Sequence, residues 1–155
     1  DLLVEITGDC PLIDPGIVEQ TIRMHLANPD SDYTSNAEIR SYPDGMDTQV
    51  FATSLLAETA DITNDPDDRE HVSLYIRRHP EKYRHVHLVA PPELHWPELG
   101  LTLDERDDYE LIRRIFEHFL PVQEDFSCLD VLRYLRMNQA LLSINQHVKR
   151  REVPS

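Results

Sequence analysis

The sequence predicts an α/β fold in which helices pack on a mixed β-sheet. Short segments of alternating apolar and polar residues are typical of strands, and they are separated by segments with apolar residues at helical spacing. Aspartate or serine residues stand where those helical segments begin, as expected of N-caps. Because strands and helices alternate along 155 residues, we expect one layered α/β domain.

Alternation predicts the strands, beginning with residues 2–7, which stop at Gly8. Further strands are expected at residues 32–35, 46–51, 84–89 and 101–103, and an extended segment at 145–149. Side chains alternate across a strand, so Asp47 and Gln49 are expected to point to the same side of the sheet.

Apolar spacing and capping signals predict five helices. The first begins at Asp14-Pro15 and ends near Ala27. Two shorter helices are expected at residues 55–62 and 127–137. A helix from Asp65 to Pro80 is expected to pack through Val72, Tyr75 and Ile76. A helix capped by Asp104 and Asp107 is expected to pack through Tyr109, Ile112, Ile115, Phe116 and Phe119. The basic residues 149–151 are expected to be solvated.

Composition excludes several classes of protein. Hydrophobic residues make up 40% and charged residues 28%, and no apolar run approaches the roughly 18 residues of a membrane span. A net charge of −14 repels polyphosphate, which argues against a nucleic-acid polymer as partner, whereas a divalent cation remains compatible. We therefore expect no membrane and no nucleic-acid polymer among the partners.

The cysteines indicate a reducing compartment. Cys10 and Cys128 lie far apart and match no metal or redox spacing, and no signal peptide opens the sequence. A cytoplasmic protein with free thiols is expected, and a disulfide between the two cysteines is the less favoured alternative.

Two aspartates follow predicted strands and are candidate metal ligands. Asp9 comes after residues 2–7, and Asp104 comes after residues 101–103. Ligands gather beyond the carboxyl ends of strands in α/β sheets, and Mg²⁺ prefers one or two carboxylates together with phosphate oxygens. Two alternatives stay open: Asp9 satisfying backbone donors in its turn, and Asp104 serving only as an N-cap.

Two further groups are candidates for substrate binding. Asp47 and Gln49 can hydrogen-bond to sugar hydroxyls. The equally favoured alternative is that they belong to a polar sheet face that binds no ligand. Arg69, Glu70 and His71 open a predicted helical turn and can bind an anion or transfer a proton, although a solvated first turn is the favoured explanation from the residues alone.

The sequence argues against a zinc site. His85 and His87 share one face of a predicted strand and His95 is near them, but neither a carboxylate nor a thiolate stands at matching spacing. An exposed polar strand face is the favoured explanation for the alternation.

Four motifs carry a family resemblance: ITGDCPLIDP at residues 6–15, YPDGMDTQVF at 42–51, REHVSLYIRRHP at 69–80 and LTLDERDDYELI at 101–112. In this order they resemble the cytidylyltransferase-like proteins of spore-coat polysaccharide biosynthesis, which are relatives of the acylneuraminate cytidylyltransferases. The resemblance covers nearly the whole chain, out to residue 147.

The resemblance implies a three-layer Rossmann-like nucleotidyltransferase fold and a homodimeric enzyme. Such an enzyme uses CTP and Mg²⁺ to activate an acidic or modified sugar and releases pyrophosphate. The family pattern puts metal ligands at Asp9 and Asp104. It puts Asp47, Gln49, Glu70 and His71 on the sugar side of the cleft or at the dimer contact.

The family's first strand and its basic, glycine-containing triphosphate loop have no counterpart in this sequence. We therefore expect residues 1–155 to form the C-terminal portion of a single nucleotidyltransferase-like domain, N-terminally incomplete, with residues 2–7 as an interior strand of the complete sheet. The alternative function is a non-catalytic binding or assembly module that keeps the fold without the triphosphate loop.

Overall fold

A computed structural model describes residues 1–150 and contains one mixed four-stranded sheet. The strands are β1 (Leu2–Glu5), β2 (Tyr33–Ser35), β3 (Gln49–Ala52) and β4 (His85–His87), in the spatial order β1-β3-β2-β4. β3 runs antiparallel to both β1 and β2, and β4 runs parallel to β2. The predicted mixed sheet is confirmed.

Six α-helices and one 3-10 helix connect and cover the strands. They are α1 (Pro15–Ala27), α2 (Thr53–Ile62), α3 (Pro66–Glu70), α4 (Leu74–Arg78), α5 (Arg106–Phe119) and α6 (Cys128–Met137), followed by the 3-10 helix Gln139–Ile144. Within residues 1–150, none of these helices combines the length and the apolar character needed to cross a membrane.

Helices pack on both faces of the sheet, which gives three layers. On one face, Thr34 of β2 hydrogen-bonds to His25 of α1 at 3.0 Å. On the other face, Tyr33 packs with Phe51 of β3 and with Ile76 of α4 in a buried apolar cluster. Because neighbouring residues of a strand point to opposite faces, these contacts put α1 and α4 on opposite sides.

The larger core lies where α5 and α6 pack together. Helix α6 begins at Ser127, whose hydroxyl accepts a hydrogen bond from the backbone N–H of Asp130, while the Asp130 carboxylate accepts from the Ser127 N–H in return. This capping box fixes the start of the helix. The core itself is fully apolar at its centre and includes Met46, Leu101, Leu111, Ile115, Leu132 and Leu135.

The predicted long helix from Asp65 to Pro80 is wrong, because the chain turns between α3 and α4. Asp65 does cap a helix, but that helix is five residues long and has no buried side chain. The fold buries Leu74 and Ile76, whereas Val72 is 38% exposed. Of the predicted packing face, Ile76 is buried and Tyr75 is half-buried, whereas the turn at residues 71–73 leaves Val72 outside it.

The predicted strand at residues 101–103 is also wrong. The backbone N–H of Leu101 donates to Asp44, and that of Leu103 donates to Asp9, both at 2.8 Å. Each hydrogen bond goes to a different loop, so no strand ladder forms. The expected extended segment at 145–149 is not a strand either, since it follows the 3-10 helix as a turn.

Helix α5 begins one residue later than predicted. Its N-cap is Glu105, which forms a capping box with Asp108. Ile112, Ile115 and Phe119 of the predicted packing face are buried. Tyr109 is 56% exposed and does not belong to that face, which includes Asp108 and Leu111 instead.

Strand β1 forms one edge of the sheet and carries exposed apolar side chains. Leu2 is 41%, Val4 36% and Ile6 49% exposed. Only β3 pairs with β1 within residues 1–150, so its other edge presents unpaired backbone groups.

Candidate functional site

A backbone hydrogen bond joins the segments that carry the two candidate metal ligands. The N–H of Leu103 donates to the carbonyl oxygen of Asp9 at 2.8 Å, and Asp104 is the next residue along the chain. The two aspartates are 95 positions apart in sequence, yet their segments are adjacent in the fold.

The Asp104 side chain is not an N-cap. Glu105 fills that position, and Asp108 accepts from the backbone N–H groups of both Asp104 and Glu105, at 3.3 and 3.0 Å. The Asp104 carboxylate instead accepts a hydrogen bond of 2.7 Å from the Thr102 hydroxyl. The N-cap alternative for this residue is therefore wrong, and part of its coordination capacity is left for a ligand.

The Asp9 carboxylate does not satisfy backbone donors. Among residues 1–150 its one hydrogen bond comes from the Cys10 thiol, a weak donor, at 3.7 Å. The turn around it is closed by backbone bonds instead, from Cys10 to Thr7 and from Ile13 to Cys10. The alternative in which Asp9 satisfies backbone donors in its turn is therefore also wrong. The half-buried carboxylate has most of its lone pairs available for another partner.

A tight turn holds the segment before Asp104. Gly45 has φ +101°, a conformation that side chains other than glycine rarely adopt, and a Cβ there would lie 2.9 Å from the carbonyl of Leu101. Asp44 completes the contact, because its N–H donates to Leu99 and its carbonyl accepts from Leu101.

Arg150 adds a positive charge beside Asp104. Its guanidinium lies 3.4 Å from the Asp104 carboxylate and donates to Thr102 at 3.0 Å and to the buried Asp108 at 2.7 Å. The predicted solvated tail is thus wrong for Arg150, whereas Lys149 is exposed as expected. Arg151 lies outside the described residues.

Gln49 lies in a polar row across the sheet. Glu5, Gln49, Ser35 and His87 are paired in register, and directly opposed residues share a face. The side-chain oxygens Oε2 of Glu5 and Oε1 of Gln49 are buried and have no hydrogen-bond partner among residues 1–150. Buried polar atoms are rarely left unpaired, so this row is a candidate contact for a polar ligand.

Asp47 lies before β3 and is held by an arginine. Arg40 donates to its carboxylate at 2.7 Å. Burial raises the pKa of Asp47, and the opposing effect of Arg40 does not cancel that rise. The Asp47 carboxylate therefore pairs with Arg40. Alternation along the sequence predicted that Asp47 faces the same side as Gln49, but Asp47 lies before β3 and is not part of the polar row.

Within residues 1–150, Arg69, Glu70 and His71 make no polar contact with the other candidates. Arg69 and Glu70 are exposed, and Arg69 donates to the carbonyl of Ala60 at 2.7 Å. Among residues 1–150 no side-chain hydrogen bond or ion pair joins these three residues to Asp9, Asp104 or the polar row.

Sequence reasoning missed three residues near these groups: Glu5, Glu38 and Arg150. Glu38 lies in the loop after β2 and contacts both His85 and His87, so a carboxylate that no sequence spacing indicates accompanies these histidines. The only sequence signal for Glu5 was its place on β1. Glu38 and Arg150 are brought in by tertiary contacts with residues more than 40 positions away.

Known proteins are similar to this chain in sequence. The family model described as Cytidylyltransferase matches residues 1–135. The Bacillus subtilis spore coat polysaccharide biosynthesis protein SpsF is 33% identical over 138 residues. The matched region covers 88% of this chain and 55% of the length of SpsF. An uncharacterized protein of Methanocaldococcus jannaschii is 27% identical over 151 residues, covering 97% of this chain and 60% of its own.

A solved structure shows the same fold. The cytidylyltransferase from Leptospira borgpetersenii serovar Hardjo-bovis superposes with a TM-score of 0.85 at 29% identity, covering 98% of this chain and 61% of that one. The chain thus spans little more than half the length of the relatives it matches. Because the family model covers most of the chain and the fold agrees, the chain belongs to the cytidylyltransferase family.

Proposed function

We propose that the chain is part of a cytidylyltransferase that makes a CMP-sugar for surface polysaccharide. A hydroxyl of an acidic or modified sugar attacks the α-phosphorus of CTP, the bond from that phosphorus to the bridging oxygen breaks, and pyrophosphate leaves. Family membership supports the reaction class, and the name of the Bacillus relative, a spore coat polysaccharide biosynthesis protein, supports the pathway class. The observation that carries the proposal is the hydrogen bond from Leu103 to Asp9, which brings two acidic segments together.

Asp9 and Asp104 are the proposed ligands of Mg²⁺. The donor set fits this ion, because both groups are carboxylates and neither is used up by backbone donors. When bound, Mg²⁺ neutralises charge on the reacting phosphates. Arg150 would orient Asp104 and add a positive charge near the phosphates.

Gln49 is the proposed sugar contact with the most support. Its buried Oε1 atom lacks a partner, and the unpaired Glu5 oxygen lies in the same row. Asp47 would shape the adjoining loop through Arg40. The exposed Arg69 and Glu70, with His71, are proposed to meet the sugar or a second subunit of a homodimer.

The proposed enzyme is longer than residues 1–155. The relatives extend well beyond the length matched by this chain, and we propose that the remaining part supplies the triphosphate loop and covers the apolar edge of β1. Burial of the exposed Leu2, Val4 and Ile6 would stabilise that arrangement by about 25 cal/mol for each Å² removed from water.

Calorimetry and pyrophosphate release on the intact protein test the proposal. We expect CTP to bind with Mg²⁺ and pyrophosphate to form when sugar is added. Asp9→Asn and Asp104→Asn should each lower turnover by about 100-fold or more, since a lost metal contact costs several kcal/mol. The exposed Asp61→Asn is the matched control and should keep normal turnover.

Two outcomes would count against it. Normal turnover in both aspartate variants would remove the metal assignment. An intact protein that binds sugar or a protein partner, but never CTP, would favour the non-catalytic module.

A further inference from the structure

We propose that Glu38, His85 and His87 form a binding site for a transition-metal ion of the zinc class. One side-chain ligand atom from each residue lies within 4.8 Å of the others. His85 and His87 alternate on β4 and so point to the same face of the sheet. Glu38 reaches them from the loop after β2, which runs beside β4. One carboxylate and two imidazoles are the ligand set of many zinc sites.

The two distances that involve Glu38 match a tetrahedral ion. Oxygen Oε2 of Glu38 lies 3.2 Å from Nδ1 of His85 and 3.4 Å from Nδ1 of His87. Two ligands about 2.0–2.1 Å from zinc, separated by the tetrahedral angle, lie about 3.3–3.4 Å from each other. The ligand atoms of the two histidines lie within 4.8 Å of each other, so a rotation of one ring would complete the site.

The hydrogen bonding of His85 orients a lone pair toward that position. Its Nε2 lies 3.1 Å from the carbonyl oxygen of Ile76, which can only accept, so Nε2 carries a proton. In the neutral ring Nδ1 is then an acceptor, and it faces another acceptor on Glu38. A cation between these two atoms turns the repulsion into two favourable bonds.

His87 shows the same need for a partner. Its Nδ1 is buried and makes no hydrogen bond within the part of the chain that the structure describes. A buried ring nitrogen without a partner is costly, and coordination would satisfy it.

The surrounding groups act as outer-sphere support. Ile76 holds the far nitrogen of His85, as backbone carbonyls commonly do for zinc-bound histidines. Arg77 lies 3.6 Å from Oε1 of Glu38, whereas the histidines approach Oε2. One carboxylate oxygen is therefore left for the metal. The His87 side chain is 29% exposed, which leaves a route for the ion and a water ligand.

Bound there, the ion would fasten an edge strand. β4 is three residues long and pairs only with β2 among the described strands. Coordination would tie β4 to the loop that follows β2. This site uses none of the residues proposed for Mg²⁺.

Metal analysis of the intact protein tests the site. After chelator treatment and dialysis against excess Zn²⁺, we expect one zinc per chain that depends on this cluster. Substitution with Co²⁺ should give the strong visible absorption of a tetrahedral site, and Zn²⁺ should raise the unfolding temperature.

The variants isolate the ligands. Glu38→Gln keeps the side-chain size and should weaken Zn²⁺ binding by about 100-fold or more, as should His87→Ala. His95→Ala is the matched control for loss of a histidine, and Asp104→Asn separates this site from the proposed Mg²⁺ site; both should bind Zn²⁺ normally. Circular dichroism checks that each variant is folded.

The proposal is overturned if the wild-type protein gives no tetrahedral Co²⁺ spectrum and takes up no zinc. It is also overturned if the folded Glu38→Gln variant binds Zn²⁺ as the wild type does. In the first case, the cluster is a polar network around Glu38 that holds no metal.

Discussion

The guanidinium of Arg150 donates a hydrogen bond of 2.7 Å to the carboxylate of Asp108, which is fully buried. The same guanidinium packs against the bare Cα of Gly100 and approaches Asp104. A residue near the end of the described chain thereby stabilises the start of α5 and the segment before it.

We expect Arg150→Ala to destabilise the protein by about 2–3 kcal/mol. Removal of the guanidinium leaves a buried carboxylate with fewer donors, although Asn145 and two backbone N–H groups remain. Urea unfolding measures the change. Lys149→Ala is the control because Lys149 is exposed, and equal stability of both variants would contradict the assignment.

Stability should fall in acid partly through Asp108. Burial raises the pKa of this carboxyl, but hydrogen bonds from Arg150 and Asn145 outweigh burial and bring the pKa below its usual 3.8. A carboxyl with a lower pKa in the folded state stabilises the fold above about pH 4, and this contribution is lost as pH falls through the folded-state pKa.

Urea midpoints measured from neutral pH downward test this titration. The wild type should have a higher urea midpoint than Asp108→Asn at neutral pH, and this difference in midpoint should shrink as the pH drops below about 4. A constant difference between the two proteins across that range would assign the pH dependence to other carboxylates.

Gly45→Ala should destabilise the protein by about 1–3 kcal/mol. The residue has φ +101°, and an added Cβ would lie 2.9 Å from the backbone of Leu101, so both the conformation and the contact are unfavourable. Gly8→Ala is the matched control, since no atom lies within 4 Å of the Cβ added there. Thermal unfolding of both variants measures the difference, and a Gly45 variant as stable as the Gly8 variant would refute it.

The two thiols should react slowly in the folded protein. Burial raises the pKa of both Cys10 and Cys128 to about 12, so almost no thiolate is present at neutral pH. We expect slow labelling by a thiol-specific disulfide reagent in buffer and rapid labelling of two thiols per chain in urea. Fast labelling of the native protein would show that the loop around Cys10 opens readily.

Gln49→Ala should raise the KM for the sugar by about three- to tenfold and leave the KM for CTP unchanged. The expected size is that of one hydrogen bond from a neutral side chain. The exposed Gln146→Ala serves as control. Steady-state kinetics with each substrate varied in turn separates the two constants, and a change confined to CTP would contradict a sugar-side role.

Local signals predicted the elements that depend on local interactions. Asp14 caps α1 and Ser127 caps α6, and both helices end as predicted, near Ala27 and Met137. A cap and its helix lie within one turn of each other, so the sequence contains the whole interaction.

Interactions between distant segments could not be predicted in this way. Leu101 and Leu103 have the pattern of a strand, but their backbone partners are Asp44 and Asp9, and no spacing in the sequence identifies them. Glu38 reaches His85 across 47 positions for the same reason. Asp9 and Asp104 were nevertheless found as candidates, because an acidic residue after an alternating segment is a local signal.

The backbone bonds from Leu101 to Asp44 and from Leu103 to Asp9 interlock three loops that are far apart in sequence. Transplanting the loop of residues 101–103 from a relative would therefore change the backbone partners of the loops at Asp9 and Asp44, and transplanting either of those loops would change a partner of residues 101–103. Chimeras within the family should exchange all three together, and natural divergence at one loop should be accompanied by changes in the other two.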